Sequence, residues 1–504
     1  MASPSARDLR FPASPIRDRR HRAAHRGMLG AADSSRQRLP AVVGALSLLA
    51  LVIGALLVVV IAAERPSQLT PISKPGYFPL WMAGPLRGLL AQLTQGYDAL
   101  AWLFSALMGA MYALYILAFT NAGRLRARWT VAAVLAVHVI FLLSPPLSYT
   151  DVFNYINYGR MGVVHGLNPY TTIAQLEPHN DPSFSLSNWH FLLSPYGPLF
   201  TLFSYALVPL GVVASFWAIK LVLALASLAT LALVWRCARL LGRSPAAAVA
   251  FVGLNPIILV WGLGADHNDV LMLFFVVLAV YLLLGAGDPS HVAGVADARA
   301  PGSSRAAGAA LVTAIFIKAS AGVILPIFLL VSRRRAFLEG GLGAGVVLGI
   351  ASVVAFGANL PNVAAQNRLV TALGLPNLLG LALGQGGETH AVHTLVSLLF
   401  VIAICVAAIC AARRRGAWLT ASAVALIALI ASLSWLAPWY LLWVLPFAAL
   451  SRSRVLRGVT LALGAYLILA FVPATPMLVS AIHFNPEATP LAIEHRAELE
   501  ELVR

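Results

Sequence analysis

A run of 23 residues without a charged side chain occupies positions 41–63 and reads AVVGALSLLALVIGALLVVVIAA. About 20 apolar residues carry an α-helix across a bilayer, so this run predicts a membrane-spanning helix. The rest of the chain continues the pattern, because only 11% of its 504 residues are charged, against roughly 25% in soluble domains. This composition excludes a soluble enzyme, a disordered protein and a coiled coil. It predicts an all-α polytopic membrane protein.

The apolar runs and the arginine clusters between them predict a topology. Two runs do not fit a single pass, because 196–212 is short and flanked by prolines and 306–332 is too long. Only one arrangement of these runs places every arginine cluster in the cytoplasm, as the positive-inside rule requires. In that arrangement 196–212 is interfacial or re-entrant, and 306–332 is two short helices that meet near Lys318. We therefore predict about 13 transmembrane helices with the N-terminus in the cytoplasm. The other predicted spans are 41–63, 98–120, 128–147, 215–236, 246–263, 267–285, 339–357, 391–411, 416–434, 437–450 and 457–478.

This topology divides the chain into three parts. We expect a disordered basic cytoplasmic tail over 1–40, a transmembrane domain over 41–478 and an acidic extracytoplasmic tail over 479–504. Two long loops, 148–213 and 358–390, contain few basic residues, which is typical of the outer side. The net charge of +16 therefore reflects topology, and we expect no nucleic-acid binding because no long stretch interleaves aromatic with basic residues.

The first informative polar residue at a membrane edge is Asp151, which lies just after the predicted span 128–147. Asp151, Asn154 and Tyr155 have the spacing that places residues on one face of a helix. A carboxylate beside amide and phenol groups at the membrane surface indicates a site for a polar substrate. The alternative interpretation is a helix cap, since aspartate after a proline-rich turn caps helices well. The two interpretations are compatible.

A second polar group lies at the end of span 246–263, where Gly264-Ala-Asp266-His267-Asn268-Asp269 places two carboxylates around a histidine. This group favours binding of substrate hydroxyls, base chemistry or, if Asp151 converges with it, a metal; helix capping is the alternative. Lys318 lies midway through 306–332, at a depth where a charge costs about 2.5–3.5 kcal/mol. It must therefore face a cavity or an anion. No cofactor is predicted, and a divalent metal is left as an alternative.

These residue types suit glycosyl transfer from a lipid-linked sugar phosphate. A base takes the proton of the acceptor hydroxyl, and a cation holds the leaving phosphate. Phosphate leaves as an anion, so one essential carboxylate is enough. Aromatic side chains at Trp189, Tyr196 and Trp439 are candidates for contacts with the sugar or the prenyl chain, although aromatic belts at membrane interfaces are ordinary.

The motifs resemble those of the GT-C superfamily of polytopic glycosyltransferases. The nearer resemblance is to actinobacterial enzymes that use polyprenyl-phosphate-mannose, such as the α-1,6-mannosyltransferases of lipomannan synthesis. It is carried by Thr150-Asp151-Val-Phe-Asn-Tyr155, Gly166-Leu-Asn-Pro-Tyr170, Ser194-Pro-Tyr-Gly-Pro198, Asn255-Pro256, Asp266-His-Asn-Asp269, Lys318 and Pro438-Trp-Tyr440. The resemblance implies a GT-C-like bundle with interfacial helices in the first large outer loop, an outward active site and Asp151 as the catalytic aspartate. Many members carry a paired acid where this chain has Val152.

The sequence therefore predicts an inverting glycosyltransferase of the plasma membrane. It would move a sugar from a polyprenyl phosphate to a lipid-linked or cell-envelope glycan on the outer face. Mannose is the expected sugar, although relatives also transfer glucose, arabinofuranose or aminoarabinose. Asp151 is the predicted base with His267 as the alternative, and Lys318, helped by Arg160 or Arg368, would hold the phosphate. The other predicted binding residues are Asn154, Tyr155, Trp189, Tyr196, Asp266, Asp269 and Trp439.

Two other functions fit the same composition. A flippase or transporter of lipid-linked sugars would share the amphiphilic substrate and the intramembrane charges, but such proteins are built from internal repeats, and this sequence shows none. A non-catalytic subunit of an envelope-assembly complex would have no need for a lysine at the depth of Lys318.

Overall fold

The computed structural model describes residues 16–64, 78–89, 96–285, 301–361, 369–483, 489–491, 493 and 494. All regular structure in these residues is helical, which confirms the all-α prediction. The α-helices are α1 (Ile16–Glu64), α2 (Leu80–Ala83), α3 (Tyr97–Asn121), α4 (Ala127–Leu142), α5 (Asp151–Val163), α6 (Pro198–Leu207), α7 (Gly211–Leu240), α8 (Pro245–Gly253), α9 (Asp269–Gly285), α10 (Pro301–Ile317), α11 (Leu325–Val331), α12 (Arg334–Phe356), α13 (Leu375–Ala382), α14 (His390–Arg413), α15 (Trp418–Ser432), α16 (Leu445–Leu450), α17 (Arg454–Phe471) and α18 (Ala474–Ala481).

Six helical segments of the described chain are long and apolar enough to cross a membrane. They are Leu39–Glu64, Asp98–Arg124, Pro198–Leu240, Arg334–Phe356, His390–Arg413 and Arg454–Phe471. Shorter apolar helices occupy Ala127–Leu142, Asp269–Gly285, Ser303–Ile317, Ala319–Val331, Trp418–Ser432 and Pro438–Leu450. The protein is therefore a multi-pass membrane protein, and the number of passes stays a prediction.

One face of α12 shows how the bundle meets the lipid. Leu342, Val347 and Val354 of this helix are 67%, 67% and 83% exposed. A bilayer would cover this apolar surface, which soluble monomers rarely leave open to water. Helix α12 also packs closely on α10, because a Cβ on Gly340 would lie 1.9 Å from the carbonyl oxygen of Arg305. Small residues at such contacts are typical of membrane helices.

The segment 306–332 is broken at Lys318, as the sequence predicts. Helix α10 ends at Ile317, and Lys318 has an extended backbone with φ −155° and ψ 125°. A 3₁₀ helix over Ala319–Ile324 then leads into α11. The break releases the last carbonyl of α10 from helical hydrogen bonding, so that it can bind another chain segment.

The first outer loop (148–213) begins with the 13-residue α5 and ends with the ten-residue α6. At 1.5 Å per residue, α6 is about 15 Å long, half the thickness of the hydrocarbon core. This length agrees with an interfacial or re-entrant segment at 196–212. A Cβ on Gly159 of α5 would lie 2.7 Å from the carbonyl oxygen of Ser204 in α6, so the two short helices pack closely.

Both predicted outer loops lie at the same end of the bundle. Asn168 of the first outer loop donates a hydrogen bond to the carbonyl oxygen of Phe356, 2.8 Å away, where the second outer loop (358–390) begins. Helix α4 begins beside the arginine cluster 124–128 and ends next to the first outer loop. Helices α12 and α14 likewise run between an arginine cluster and the second outer loop. The arginine clusters and the outer loops therefore occupy opposite ends.

The two predicted tails are described only in part. Helix α1 extends back to Ile16 and thus into the segment 1–40 that we expect to be disordered, whereas residues 1–15 lie outside the described chain. Near the C-terminus, His390 Nε2 lies 3.2 Å from Glu494 Oε2, so this part of the acidic tail contacts the beginning of α14 next to the second outer loop. The division into tails and membrane domain stays a prediction.

Candidate functional site

Backbone hydrogen bonds tie together the segments that carry the predicted site residues. The Leu147 amide donates to the carbonyl oxygen of Gly264, and the Gly197 amide donates to that of Ile317, both at 3.0 Å. Glycine is required at both contacts, since a Cβ on Gly264 would lie 2.8 Å from the Val260 carbonyl oxygen and one on Gly197 would lie 2.2 Å from the Phe316 carbonyl oxygen. The start of α5, the turn 264–269 and the break at Lys318 are thereby brought to one place.

Asp151 is the first residue of α5, and Thr150 occupies the N-cap position. The Tyr196 hydroxyl donates a hydrogen bond to Asp151 Oδ1 at 2.8 Å. Burial raises the pKa of Asp151 to about 6. The hydrogen bond from Tyr196 and the positive charge of Lys318 lower this pKa, whereas the negative charge of Asp269 raises it. Tyr196 binds Asp151, the Gly197 amide that follows it binds the carbonyl oxygen of Ile317, and the next residue, Lys318, binds Asp269. We call Asp151, Tyr196, Asp269 and Lys318 the polar cluster.

Lys318 and Asp269 form the charged pair of the polar cluster. Lys318 Nζ donates to Asp269 Oδ2 at 2.7 Å, and the Trp443 indole donates to Asp269 Oδ1 at 2.7 Å. The ammonium also lies 5.3 Å and 5.8 Å from the ring centres of Tyr440 and Trp443. Trp443 is not among the predicted binding residues; its signal in the sequence is the aromatic run 434–443, and the structure places it at the end of the 3₁₀ helix Pro438–Trp443.

Asp266 has a different lysine as its partner. Lys220 of α7 lies 3.3 Å from Asp266 Oδ1, with both side chains 1% exposed, and it also donates to Ser144 Oγ at 3.2 Å. The Asp266 backbone is held in the left-handed region at φ +59°, which few non-glycine residues adopt. Lys220 is not among the predicted site residues, although a lysine inside the predicted span 215–236 is a signal for one. Substrate binding by Asp266 stays a prediction.

His267 and Trp439 are stacked beside the polar cluster. Their ring centres lie 3.5 Å apart with an interplanar angle of 15°, and Tyr149 meets Trp439 edge to face at 4.9 Å. His267 is 1% exposed, whereas Asp151 is only partly buried. An acceptor hydroxyl therefore reaches Asp151 more readily than His267, which favours the aspartate as base.

Asn154 and Tyr155 hold the site together. Asn154 Oδ1 accepts hydrogen bonds from the backbone amides of Asn188 at 3.1 Å and Trp189 at 3.3 Å. The Tyr155 hydroxyl accepts a hydrogen bond from the Asn268 amide at 3.2 Å. Trp189 itself meets Trp435 edge to face at 5.8 Å. These three predicted binding residues therefore surround the cluster, with Trp189 at the contact between the first outer loop and the segment after α15.

The structure does not bring Arg160 to Asp151. Arg160 follows Asp151 by nine residues on α5, which places it about 13 Å along the axis and on the opposite face. Its guanidinium group binds Asp181 at 2.9 Å and 3.0 Å. Burial alone would raise the pKa of Asp181, but hydrogen bonds from Arg160 and Ser183 outweigh it and hold the pKa well below its usual range. Arg368 lies outside the described residues.

The donor set does not fit a divalent metal. Among the residues that the structure describes, no three His, Cys, Asp or Glu side chains form a group that could hold a metal ion. Asp269 is paired with Lys318 and Asp266 with Lys220. Both carboxylates of the turn are thus neutralised by lysines rather than left open to a cation.

A carboxylate and a lysine at one end of a polytopic helical bundle are the groups that an integral-membrane glycosyltransferase needs. Residues 41–334 match the model of the MptA_B family, described as alpha-(1->6)-mannopyranosyltransferase, N-terminal domain. The match covers more than half of the chain, and the chain belongs to this family. The resemblance that the sequence motifs indicate is therefore confirmed, and the protein is a membrane glycosyltransferase.

Individual relatives agree with the family. Alpha-(1->6)-mannopyranosyltransferase A of Mycobacterium tuberculosis is 28% identical over 429 residues, which cover 76% of this chain and 78% of that protein. The Corynebacterium glutamicum protein of the same name is 29% identical over 198 residues, 38% of this chain and 36% of that protein. The crystal structure of ArnT from Cupriavidus metallidurans bound to undecaprenyl phosphate is 18% identical, covers 73% of this chain and 68% of that chain, and has a TM-score of 0.41.

Proposed function

We propose that this protein transfers mannose, with inversion, from a polyprenyl phosphate to a hydroxyl of a lipid-linked or cell-envelope glycan. The observation that carries the proposal is the pair of hydrogen bonds from Tyr196 to Asp151 and from Gly197 to the carbonyl oxygen of Ile317, at 2.8 Å and 3.0 Å. Together they place a base and the cation of Lys318 in one site. The names of the M. tuberculosis and C. glutamicum relatives support mannose as the sugar.

In the proposed reaction, Asp151 takes the proton of the acceptor hydroxyl. The acceptor oxygen then bonds to the anomeric carbon of mannose while the bond from that carbon to the phosphate oxygen breaks. Attack from the opposite face converts a β-linked donor into an α-linked product. Because burial raises the pKa of Asp151 to about 6, the carboxylate is ionised at neutral pH yet basic enough to receive the proton.

Lys318 would hold the leaving phosphate. An ammonium group has three N–H donors, and Asp269 accepts one of them in the described structure. The remaining donors suit the oxygens of a phosphate, which charge-assisted hydrogen bonds bind strongly. Asp269 would also neutralise the buried charge while the site is empty, since an unpaired buried charge is strongly destabilising. Arg160 has no part in this proposal because Asp181 occupies it.

We place the reaction on the extracytoplasmic side of the plasma membrane, with the N-terminus in the cytoplasm. The support is the separation of the arginine clusters from the two outer loops, because lysine and arginine near membrane helices collect on the cytoplasmic side. The polar cluster lies at the end of the bundle that carries these loops. Asp151 belongs to the first outer loop, so a lipid-linked donor whose headgroup is on that side would reach it without crossing the membrane.

The test compares membranes that contain the wild type, Asp151→Asn or Asp98→Asn at equal levels. Asp98 is an exposed aspartate at the start of α3 and serves as the matched control. Labelled polyprenyl-phosphate-β-mannose is supplied, and the label is followed into the glycan fraction. We expect D151N to lose about 10²–10⁴-fold in rate, D98N to match the wild type, and an α-mannosidase to release the label.

Full transfer by D151N would remove the proposed base. A product that resists the α-mannosidase would contradict inversion. Movement of the donor across the membrane without transfer would favour the flippase instead.

A further inference from the structure

Four buried side-chain atoms next to the polar cluster have no hydrogen-bond partner in the described part of the chain. They are His267 Nε2, Asn268 Oδ1, Asn268 Nδ2 and Trp439 Nε1. The three residues are 1%, 0% and 5% exposed. Each buried polar group that stays unpaired costs about 1–3 kcal/mol, and a concentration of such groups requires a partner from outside the fold.

These groups are held in fixed positions. His267 is stacked on Trp439 at 3.5 Å, and the Asn268 backbone amide is bound to the Tyr155 hydroxyl. On either side of them, Asp266 and Asp269 are paired with lysines. A binding site gains affinity and specificity when its groups are locked by such surrounding contacts.

The unpartnered atoms adjoin the groups proposed to react. Asn268 directly precedes Asp269, which binds Lys318. The ring of Tyr155, which binds the Asn268 amide, meets Tyr196 edge to face at 4.7 Å, and Tyr196 holds Asp151. A ligand that pairs with Asn268 would therefore lie beside both the base and the cation.

The donor and acceptor types of these atoms identify the ligand chemistry. The Asn268 carboxamide offers one acceptor and an NH₂ donor, the Trp439 indole only donates, and the His267 ring nitrogen takes either role. Phosphate oxygens only accept, so they leave Asn268 Oδ1 unsatisfied, and a prenyl chain does neither. Neighbouring sugar hydroxyls both donate and accept, which matches the full set.

We propose that His267, Asn268 and Trp439 form the subsite that recognises neighbouring hydroxyls of the donor pyranose, with Asn268 as the specificity-determining residue. This deepens the proposed function and rests on it for the identity of the donor. The Asn268 carboxamide pairs with two adjacent hydroxyls, and the stacked imidazole and indole supply the contacts on the ring that fix its orientation next to Asp151.

The test measures binding separately from transfer. Purified wild type, Asn268→Leu and Asn268→Ser are titrated with polyprenyl-phosphate-mannose and with polyprenyl phosphate that lacks the sugar. Asn121→Leu is the matched control, because Asn121 is a largely buried asparagine at the arginine end of α3. We expect the sugar to improve wild-type affinity about tenfold or more, N121L to keep this gain and N268L to lose it without weaker binding of polyprenyl phosphate.

Asn268→Ser keeps one hydroxyl that can donate or accept but cannot pair with two adjacent sugar hydroxyls. It should therefore keep part of the gain, and because it adds no charge it tests the proposal if N268L does not fold. Equal sugar-dependent gains in the wild type and both variants would overturn the subsite, whereas transfer by the wild type would leave the proposed function intact. A gain that N268L abolishes, in a protein without transfer activity, would support the subsite and overturn the proposed function. No gain in the wild type would overturn the subsite.

Discussion

Lys220 Nζ lies 3.3 Å from Asp266 Oδ1, and both side chains are almost completely buried. The last acid of the same turn, Asp269, is paired with Lys318. The turn 264–269 is thus held at each end by a lysine from a different helix region. His267 and Asn268 lie between the two ion pairs, so their positions depend on both.

The Lys220 pair should be important for stability. Lys220→Met leaves Asp266 buried without its partner, and breaking a buried ion pair costs about 3–5 kcal/mol. We expect a clear fall in the thermal unfolding temperature of the purified protein. The double variant K220M/D266N carries no buried charge at this position and should recover most of the loss. Unchanged unfolding of K220M would show that the pair does not stabilise the turn.

The ionisation of Asp151 predicts the pH dependence of transfer. Because the pKa of Asp151 is raised to about 6, the active carboxylate is the main form above pH 6 and is lost below it. The transfer rate under kcat/KM conditions should therefore fall about tenfold for each pH unit below 6. Measurement between pH 5 and 8, with the donor well below its KM, checks this. A profile that stays flat through pH 6 would argue against Asp151 as base.

Lys318 combines a structural and a proposed catalytic role, which two variants separate. Lys318→Met leaves Asp269 buried and unpaired, so we expect loss of both folding stability and transfer. K318M/D269N removes both charges and should unfold near the wild-type temperature. Its transfer rate should remain lower by about 10²–10³-fold, the usual effect of removing one stabilising group from the transition state. Wild-type transfer by this double variant would exclude Lys318 as the phosphate ligand.

Gly197 should tolerate no side chain. A Cβ at this position would lie 2.2 Å from the Phe316 carbonyl oxygen and would disrupt the hydrogen bond to Ile317. Gly197→Ala should cost about 1–3 kcal/mol, as overpacking does, and should reduce transfer because Tyr196 and Lys318 are displaced. Gly343→Ala is the control, since a Cβ there meets nothing within 4 Å. Equal unfolding temperatures of the two variants would contradict the close contact.

The positions of the helices and of the break at Lys318 could be predicted, because hydropathy and the cost of a buried charge depend on residues close together in the sequence. The partners of the charges were harder to predict, because Lys220 and Asp266 are 46 residues apart and no periodicity relates them. Asn268 is not among the predicted site residues, because an asparagine between a histidine and an aspartate is ordinary in a polar turn. Arg160 was assigned to the phosphate from its charge alone, whereas nine residues of α-helix turn it away from Asp151.

The order of the ion pairs along the chain bears on biosynthesis. Asp269 precedes Lys318 by 49 residues, so the acid is already in place when the ribosome releases the lysine. A lone lysine in the membrane costs up to about 2.5–3.5 kcal/mol on insertion, and a carboxylate at the start of the neighbouring helix α9 offsets part of this cost. The helical break at Lys318 gives the ammonium room to reach it. We therefore expect the ion pair that we propose to act in catalysis also to favour insertion of the nascent chain into the membrane.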